Sequence, residues 1–475
     1  MPTVGITMLK QQITEAQIES QLRCCPVARQ AAISPNSLAI QTNNEQVNYA
    51  ELHQRILNLT AQLIKLNMQK GDRLVCIAKN SMQLVLLQMT CVRNGFIFCP
   101  INPQFSNAEI EQRLAQLDSP FIWQANKASK LSLDFEPIHS KLSNHQQINI
   151  APEAIVSIIF TSGSSGSPKA VMHNFSHHYY SALGSQSVIA LHNGDSNLLS
   201  LPMFHISGYA TVMRTLLAGA TLQISDERIN VGYLKHAQTT HLSLVSSQLQ
   251  QLLNEQQFQA TDLSIKHLLL GGSSFPKELL QASIERGFTY HLSYGSTEMA
   301  SQIATSTNNE QLQLLPYRRL KIINNEIQLA GKTRFAGYFN GNSHNNLIDK
   351  KSYFPSSDLG KLNANIVTII GRKDRQFISG GENIQPEEIE KVLLTFPEVA
   401  QAYVLPIDDA IFGQRPIAFI KWHHNEQSEQ LIQFLQDKLI RFKQPTHYFI
   451  LPEQQGIKIN PKQLADSALK LLLIN

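Results

Sequence analysis

No stretch of the chain approaches the roughly 20 consecutive apolar residues that a membrane-spanning helix requires, so no membrane span is expected. Charge of neither sign dominates: the formal net charge is only +4 over 475 residues. That near-balance argues against nucleic acid or a membrane surface as the main partner. Cysteine is sparse. Cys24, Cys25, Cys76, Cys91 and Cys99 have neither the spacing of a zinc site nor that of a disulfide framework, so reduced thiols in a cytoplasmic protein are expected. The opening residues, MPTVGITMLKQQ, lack the apolar core and small-residue cleavage site of a signal peptide. The histidines show no HExxH arrangement; His173, His177 and His178 read as surface or structural. Internal repeats and low-complexity segments are absent too.

What remains is an ordinary globular composition, 43% hydrophobic and 16% charged, on a chain too long for one core, so two or more domains are expected. Residues 38–125 alternate helical and strand-like patterns. Asn48-Tyr-Ala-Glu51 and Ser106-Asn-Ala-Glu109 are capping boxes, the first opening a helix to about Leu66. A strand over Arg73–Ala78, a helix near Ser81–Asn94, a strand at Phe96–Cys99 and a turn at Pro100–Pro103 lie between them. The same alternation returns after residue 158. It predicts strands at Asn197–Leu201, Thr221–Ile224, His241–Val245, Lys266–Leu270 and Thr289–Ser293, with a helix ending at Ala218-Gly219. Alternation of this kind implies α/β layers. Near Gly371-Arg372-Lys373-Asp374 the texture changes, and about a hundred residues follow with their own strands and helices. The expected class is α/β: a large N-terminal domain of layered α/β subdomains (1–373) and a small mobile α+β domain (374–475), divided at Lys373/Asp374.

The most informative stretch is Ile158-Ile-Phe-Thr161-Ser162-Gly163-Ser164-Ser165-Gly166-Ser-Pro-Lys169-Ala170. A short apolar run, read as a buried strand, stops in a loop of glycines and hydroxyls that a lysine closes. Glycine permits positive φ and close backbone approach to a ligand; hydroxyls add donors and the lysine adds a point charge, which together suit a polyphosphate. Most Gly/Ser-rich loops are simply polar surface turns, and that alternative stands for the loop taken alone. It is not a Walker A, because Ala170 follows Lys169 and the Gly-to-Lys spacing is wrong, nor a nucleophile elbow, since no G-x-S-x-G runs through it.

This loop resembles the phosphate-binding loop of the adenylate-forming superfamily, which includes acyl-CoA synthetases, peptide-synthetase adenylation domains and luciferases. Ser165 replaces the usual threonine and Ala170 the usual glycine. Four further segments resemble that family's motifs: Tyr294-Gly295-Ser296-Thr297-Glu298; Asp358 with Arg372, fourteen residues apart; Gly380-Gly381-Glu-Asn383; and Gly456-Ile-Lys458-Ile459. The resemblance implies ATP, Mg²⁺ and CoA as reactants. Thr161, Ser162, Gly163, Ser164, Ser165, Gly166, Gly271, Gly272 and Ser273 would border ATP, and Lys169 and Thr161 would bind the departing pyrophosphate. Tyr294 would pack on adenine with Gly295 and Ser296 beside it, Thr297 would meet phosphate and Glu298 would hold Mg²⁺, a hard cation that prefers carboxylate oxygen. Alone, that segment could equally be a helix start with a capping glutamate. Asp358 would accept hydrogen bonds from the ribose hydroxyls, with Arg372 reaching ribose or phosphate. The family has glycine where Ser357 stands. Asp374 would be the hinge, Gly380 and Gly381 the loop that admits pantetheine, and Lys458 the lysine that neutralises charge developing during attack. His205 would lie by the acyl carboxylate; on sequence alone it is as readily a capping or core histidine. A homodimer is implied by the resemblance only.

The resemblance covers nearly the whole chain and runs closest to the o-succinylbenzoate–CoA ligases of menaquinone biosynthesis, in Pro202–Gly208, Arg372–Glu388 and Gly456–Ile459. Arg214 interrupts the apolar run Tyr209–Leu217, and a buried charge needs a partner. It would hold the aromatic carboxylate of a dicarboxylic acid, with Ser207 and Ser243 as hydroxyl donors. The alternatives are an Arg214 that faces solvent or pairs with Asp226 or Glu227, and a different acyl or aryl ligase or carrier-protein adenylation enzyme. A non-catalytic nucleotide-binding protein would have no need of Lys458.

Overall fold

The computed structural model describes residues 14–125, 129, 131–137, 149–161, 168–255, 258–272, 275–341, 349, 352–452 and 461–472. Ser162, Gly163, Ser164, Ser165, Gly166, Ser273 and Lys458 lie outside these residues.

Local signals place the first elements. Asn48 and Ser106 accept from the backbone N–H three residues on while Glu51 and Glu109 reach back, and the helices run Tyr49–Lys65 and Asn107–Leu117. Ser81 caps Met82–Asn94, where eleven of thirteen residues are buried, as a helix enclosed on all sides must be. The expected turn at Pro100–Pro103 begins later: Pro100 and Ile101 belong to the strand Ile97–Ile101. Its register beside Arg73–Ile77 carries the parallel pairing through both residues.

Two sheets hold the large N-terminal part. One orders its strands 337–338, 169–174, 155–161, 97–101, 73–77, 121–124. The other runs from a parallel block, 196–198, 241–244, 267–270 and 290–296, into an antiparallel block that includes 301–305, 326–331, 354–363 and 366–372. The helices Phe175–Gln186 and Ile206–Ala218 pack on each other and on the strand Ser301–Thr305. His173, His177 and His178 are not surface residues. They are 0%, 9% and 1% exposed, because strand and helix deliver them to the layer between the sheets. Beyond residue 376 the hairpin Val399–Asp409/Gly413–Trp422 and the helix Pro386–Leu393 build a separate apolar core around Ile384, Ile389, Val404 and Ile420.

Candidate active site

The strands Ile155–Thr161 and Lys169–Asn174 are antiparallel, with Thr161 opposite Lys169 at the mouth of the glycine-rich loop. Lys169 is exposed, and its Nζ lies 5.6 Å from the centroid of the Tyr338 ring. The Tyr338 hydroxyl donates to Glu298 Oε1 at 3.1 Å. The lysine expected on phosphate and the carboxylate expected on Mg²⁺ are thus joined through a tyrosine the sequence did not single out. Burial, with the Glu298 carboxylate beside it, pushes the Tyr338 phenol well up, so it stays a donor.

Tyr294, Gly295 and Ser296 lie within the strand Tyr290–Ser296, which runs past the expected end at Ser293; Thr297 and Glu298 follow in a single 3₁₀ turn. That turn is pinned from behind by His173, whose Nε2 lies 2.7 Å from the Thr297 carbonyl. A neutral ring donating from Nε2 fits this contact, and burial holds the imidazole down at about 4. Gly271 and Gly272 leave the strand His267–Leu270 next to this segment, Gly272 with φ +90°.

Asp358 and Arg372 are cross-strand partners. Arg372 Nη1 donates to Asp358 Oδ1 at 3.0 Å, and Tyr294 donates its hydroxyl to Asp358 Oδ2 at 2.5 Å. A carboxylate offers about four lone-pair sites, so both oxygens can still accept from a ribose. Ser357 has φ +62°, where an L-residue is strained by about 1–2 kcal/mol. Glycine adds unfolded-state entropy of about 0.5–1 kcal/mol. Ser357→Gly is therefore expected to stabilise the protein by about 0.5 kcal/mol, read as a higher urea midpoint at constant slope. A lower midpoint would contradict the strain.

His205 is the N-cap of the helix Ile206–Ala218 without a side-chain capping bond, and its ring packs beside Phe204 at 4.9 Å. The capping alternative for His205 is therefore set aside. The helix starts tight against the preceding loop: a Cβ on Gly208 would stand 2.2 Å from the Pro202 carbonyl oxygen. Two turns on, Arg214 is 8% exposed. Its Nη2 donates to Thr211 Oγ1 at 2.6 Å and Ser243 Oγ at 3.4 Å, and Nη1 to Gln302 Oε1 at 3.5 Å. All three acceptors are neutral. Among the described residues no carboxylate pairs with Arg214; Asp226 and Glu227 instead take the Asn43 amide. Burial lowers the guanidinium to about 10, still cationic at neutral pH. A cavity of about 10 Å³ beside it is lined by Asn197, Ser243, His241 and His267, close to the space of one water. Ser207 is half-buried on the same helix, its carbonyl accepting from Thr211 Oγ1. Thr211 and Gln302 were missed by sequence reasoning, since a hydroxyl and an amide carry no motif.

Asp374 accepts a two-pronged pair from Arg372, Nε to Oδ1 at 3.0 Å and Nη2 to Oδ2 at 2.9 Å. Gly380 and Gly381 have φ +58° and +88°, and Gly380 N–H donates to the Phe412 carbonyl. A much larger cavity, about 1350 Å³, opens near Ile155 and Asn174, and among the described residues none named for chemistry lines it.

The family model for AMP-binding enzymes matches residues 27–332, and that for the AMP-binding enzyme C-terminal domain matches 388–456. The chain belongs to the AMP-binding enzyme family. Among its relatives in that family, the 2-succinylbenzoate–CoA ligase of Escherichia coli K12 is 33% identical, over 90% of this chain and 95% of its own length. The enzyme of the same name from Haemophilus influenzae is 35% identical over 90% and 93%. An arginine-to-lysine variant of E. coli MenE with bound OSB-AMS superposes with TM-score 0.83 at 31% identity, covering 94% of this chain and 98% of that one. The o-succinylbenzoate CoA synthetase of Bacillus subtilis in complex with ATP and magnesium ion gives 0.81 at 26%, covering 93% and 99%. The α/β fold with a large N-terminal and a smaller C-terminal part is that of these AMP-binding enzymes. Among the described residues no group of three or more His, Cys, Asp or Glu could hold a metal. A single carboxylate, Glu298, suits Mg²⁺ that takes its remaining ligands from phosphates and water.

Proposed function

We propose that this chain is a 2-succinylbenzoate–CoA ligase of menaquinone biosynthesis, forming 2-succinylbenzoyl-CoA, AMP and pyrophosphate from the acid, ATP and CoA. The observation that carries this assignment is Arg214, a buried cation with only neutral partners among the described residues, two turns into the helix that follows His205. A buried charge is costly unless compensated, and a second carboxylate on the substrate supplies the compensation; a simple fatty acid would not.

In the first step the succinyl carboxylate attacks the α-phosphorus of ATP, the bond to the bridging oxygen breaks and pyrophosphate leaves. Arg214, with Ser243 and Ser207, holds the ring carboxylate, so the second carboxylate is the one presented for attack near His205. Asp358 and Tyr294 hold the nucleoside, and Lys169 and Thr161 receive the leaving pyrophosphate. Mg²⁺, held by Glu298, would neutralise phosphate charge. Lys458 offsets the negative charge that builds up during attack. In the second step the part beyond the Lys373/Asp374 boundary rotates about Asp374, and the Gly380-Gly381 loop admits the CoA thiol. Sulfur attacks the acyl carbonyl and AMP departs. We place the enzyme in the cytoplasm, as a homodimer whose mass sedimentation would test.

The direct test compares thioester formation from 2-succinylbenzoate, benzoate and a medium-chain fatty acid with Mg·ATP and CoA. Turnover confined to the dicarboxylate is expected. Turnover of the simple acids would keep the ligase chemistry and discard the substrate. Lys458→Ala is expected to slow adenylate formation about 10²-fold or more while sparing thioester formation from supplied acyl-adenylate. Equal loss of both steps would contradict the role given to Lys458.

A further inference from the structure

Resting on the ligase assignment above, we propose that Glu326 is a positioning residue that ties the ribose-binding aspartate to the hinge. Glu326 opens the strand Glu326–Gly331 and is 9% exposed. Its two carboxylate oxygens are committed to two different places. Oε1 accepts the Ser357 N–H at 3.1 Å, and Oε2 accepts the Lys373 ammonium at 3.0 Å. Ser357 immediately precedes Asp358 and has φ +62°; Lys373 stands between Arg372 and Asp374.

Two parallel links therefore join the same two places. The direct one runs from Asp358 through the Arg372 guanidinium to Asp374. The second runs from Ser357 through the Glu326 carboxylate to Lys373. Beyond the hinge, Arg375 is held by Glu387 at 3.0 Å and Glu390 at 2.6 Å, both on the helix Pro386–Leu393 of the C-terminal core. Lys373 is thus anchored to the large sheet, and Arg375 to the small domain. The only residue between them is Asp374, and rotation about it breaks two contacts that cross the hinge, Arg372 N–H to Glu387 at 3.2 Å and Gln385 Nε2 to the Arg372 carbonyl at 3.0 Å.

A carboxylate in this position has two separable effects. It holds a strained backbone turn so that Asp358 is aimed before nucleotide arrives, and it keeps the N-terminal side of the hinge fixed while the C-terminal side moves. Pre-organisation of the first kind is read in nucleotide affinity; control of the second kind is read in the step that follows rotation.

Three variants and one double variant separate the effects. Glu326→Gln keeps an acceptor oxygen for Ser357 N–H but loses the charge that holds Lys373. Glu326→Ala loses both. Lys373→Met, at an exposed side chain, removes the hinge link alone. Calorimetric titration with Mg·ATP, in the absence of any acid, is expected to show a dissociation constant raised about 10-fold in Glu326→Ala and less than about threefold in Lys373→Met. Thioester formation from supplied acyl-adenylate is expected to change by the same factor, about fivefold, in Glu326→Gln, in Lys373→Met and in the double variant, because residues acting on one contact are not additive. An unchanged ATP affinity in folded Glu326→Ala would overturn the link to the ribose site. Additive effects of Glu326→Gln and Lys373→Met would overturn the link to the hinge. Because the ATP titration needs no acid, a failure of the link shows up separately from a failure of the substrate assignment, which appears as wild-type enzyme inert towards 2-succinylbenzoate.

Discussion

Arg214→Ala is expected to lower kcat/KM for 2-succinylbenzoate by about 10³-fold. Truncating one member of a buried, hydrogen-bonded charge pair costs roughly 2–5 kcal/mol, and here the partner left behind is the substrate's own ring carboxylate. The loss should fall mainly on KM, since the ring carboxylate does not change charge during attack and its binding is uniform between ground and transition states. Arg214→Lys should retain only part of the activity, because an ammonium cannot reproduce the guanidinium fork that Thr211, Ser243 and Gln302 now orient. The unliganded alanine variant should be no less stable than wild type, because it removes a buried cation that has only neutral partners among the described residues. Urea unfolding checks that point, and steady-state kinetics with 2-succinylbenzoate against benzoate checks the first. A fall of less than tenfold for the dicarboxylate would remove Arg214 from the acid site.

Acidification should weaken the folded state steeply between pH 6.5 and 4. His173, His241 and His291 are 0%, 2% and 1% exposed, and burial holds each imidazole down at about 4. For His241 and His291 the neighbouring histidines add to the effect, as His241, His267 and His291 stand side by side on three adjacent strands with ring centroids 5.0 Å apart. His267 Nδ1 and His291 Nε2 are 2.8 Å apart, so the pair shares one proton. The sign follows from proton counts: the unfolded chain takes up protons near pH 6.5 while the folded chain does not. Stability is therefore complete above that pH and falls as the pH drops through the interval. For His173, linkage gives a loss of about 2 kcal/mol by pH 5 and about 3 kcal/mol by pH 4. The three together bring it to the order of 5 kcal/mol at pH 5. Urea midpoints of the large domain at pH 7 and pH 5 measure it. A flat profile would mean that these rings accept protons in place.

How much of this was legible beforehand depends on the range of the interaction. The capping boxes at Asn48 and Ser106 and the glycine stop at Gly219 are decided within one helical turn, and they came out as read. The ends of several strands drifted by a few residues. Pro100 and Ile101 extend a strand that the Pro-rich spelling had ended, and Tyr294–Ser296 remain extended because Ala304, Gln302 and Ser301 pair with them. Neither partner strand is visible from the local pattern. Motif spelling brought Asp358, Arg372, Glu298 and Lys169 under suspicion, and the fold brings Asp358 to Arg372 and Lys169 towards Glu298 through Tyr338.

By itself the sequence determined the beginnings of the capped helices Tyr49–Lys65, Met82–Asn94 and Asn107–Leu117, the division into α/β layers followed by a second core, and the residue types available for phosphate, ribose and carboxylate chemistry. Those properties rest on contacts between near neighbours and on side-chain chemistry, which travel with the string of letters. Only the tertiary structure decided that Arg214 has neutral partners rather than Asp226 or Glu227, that three neighbouring histidines lie between the sheets, that Ser357 occupies a left-handed turn, and that Glu326 joins that turn to Lys373. Burial and partner choice are set by which strands meet across distances of 31 to 88 residues in sequence, and no window on the chain contains both ends of such a contact.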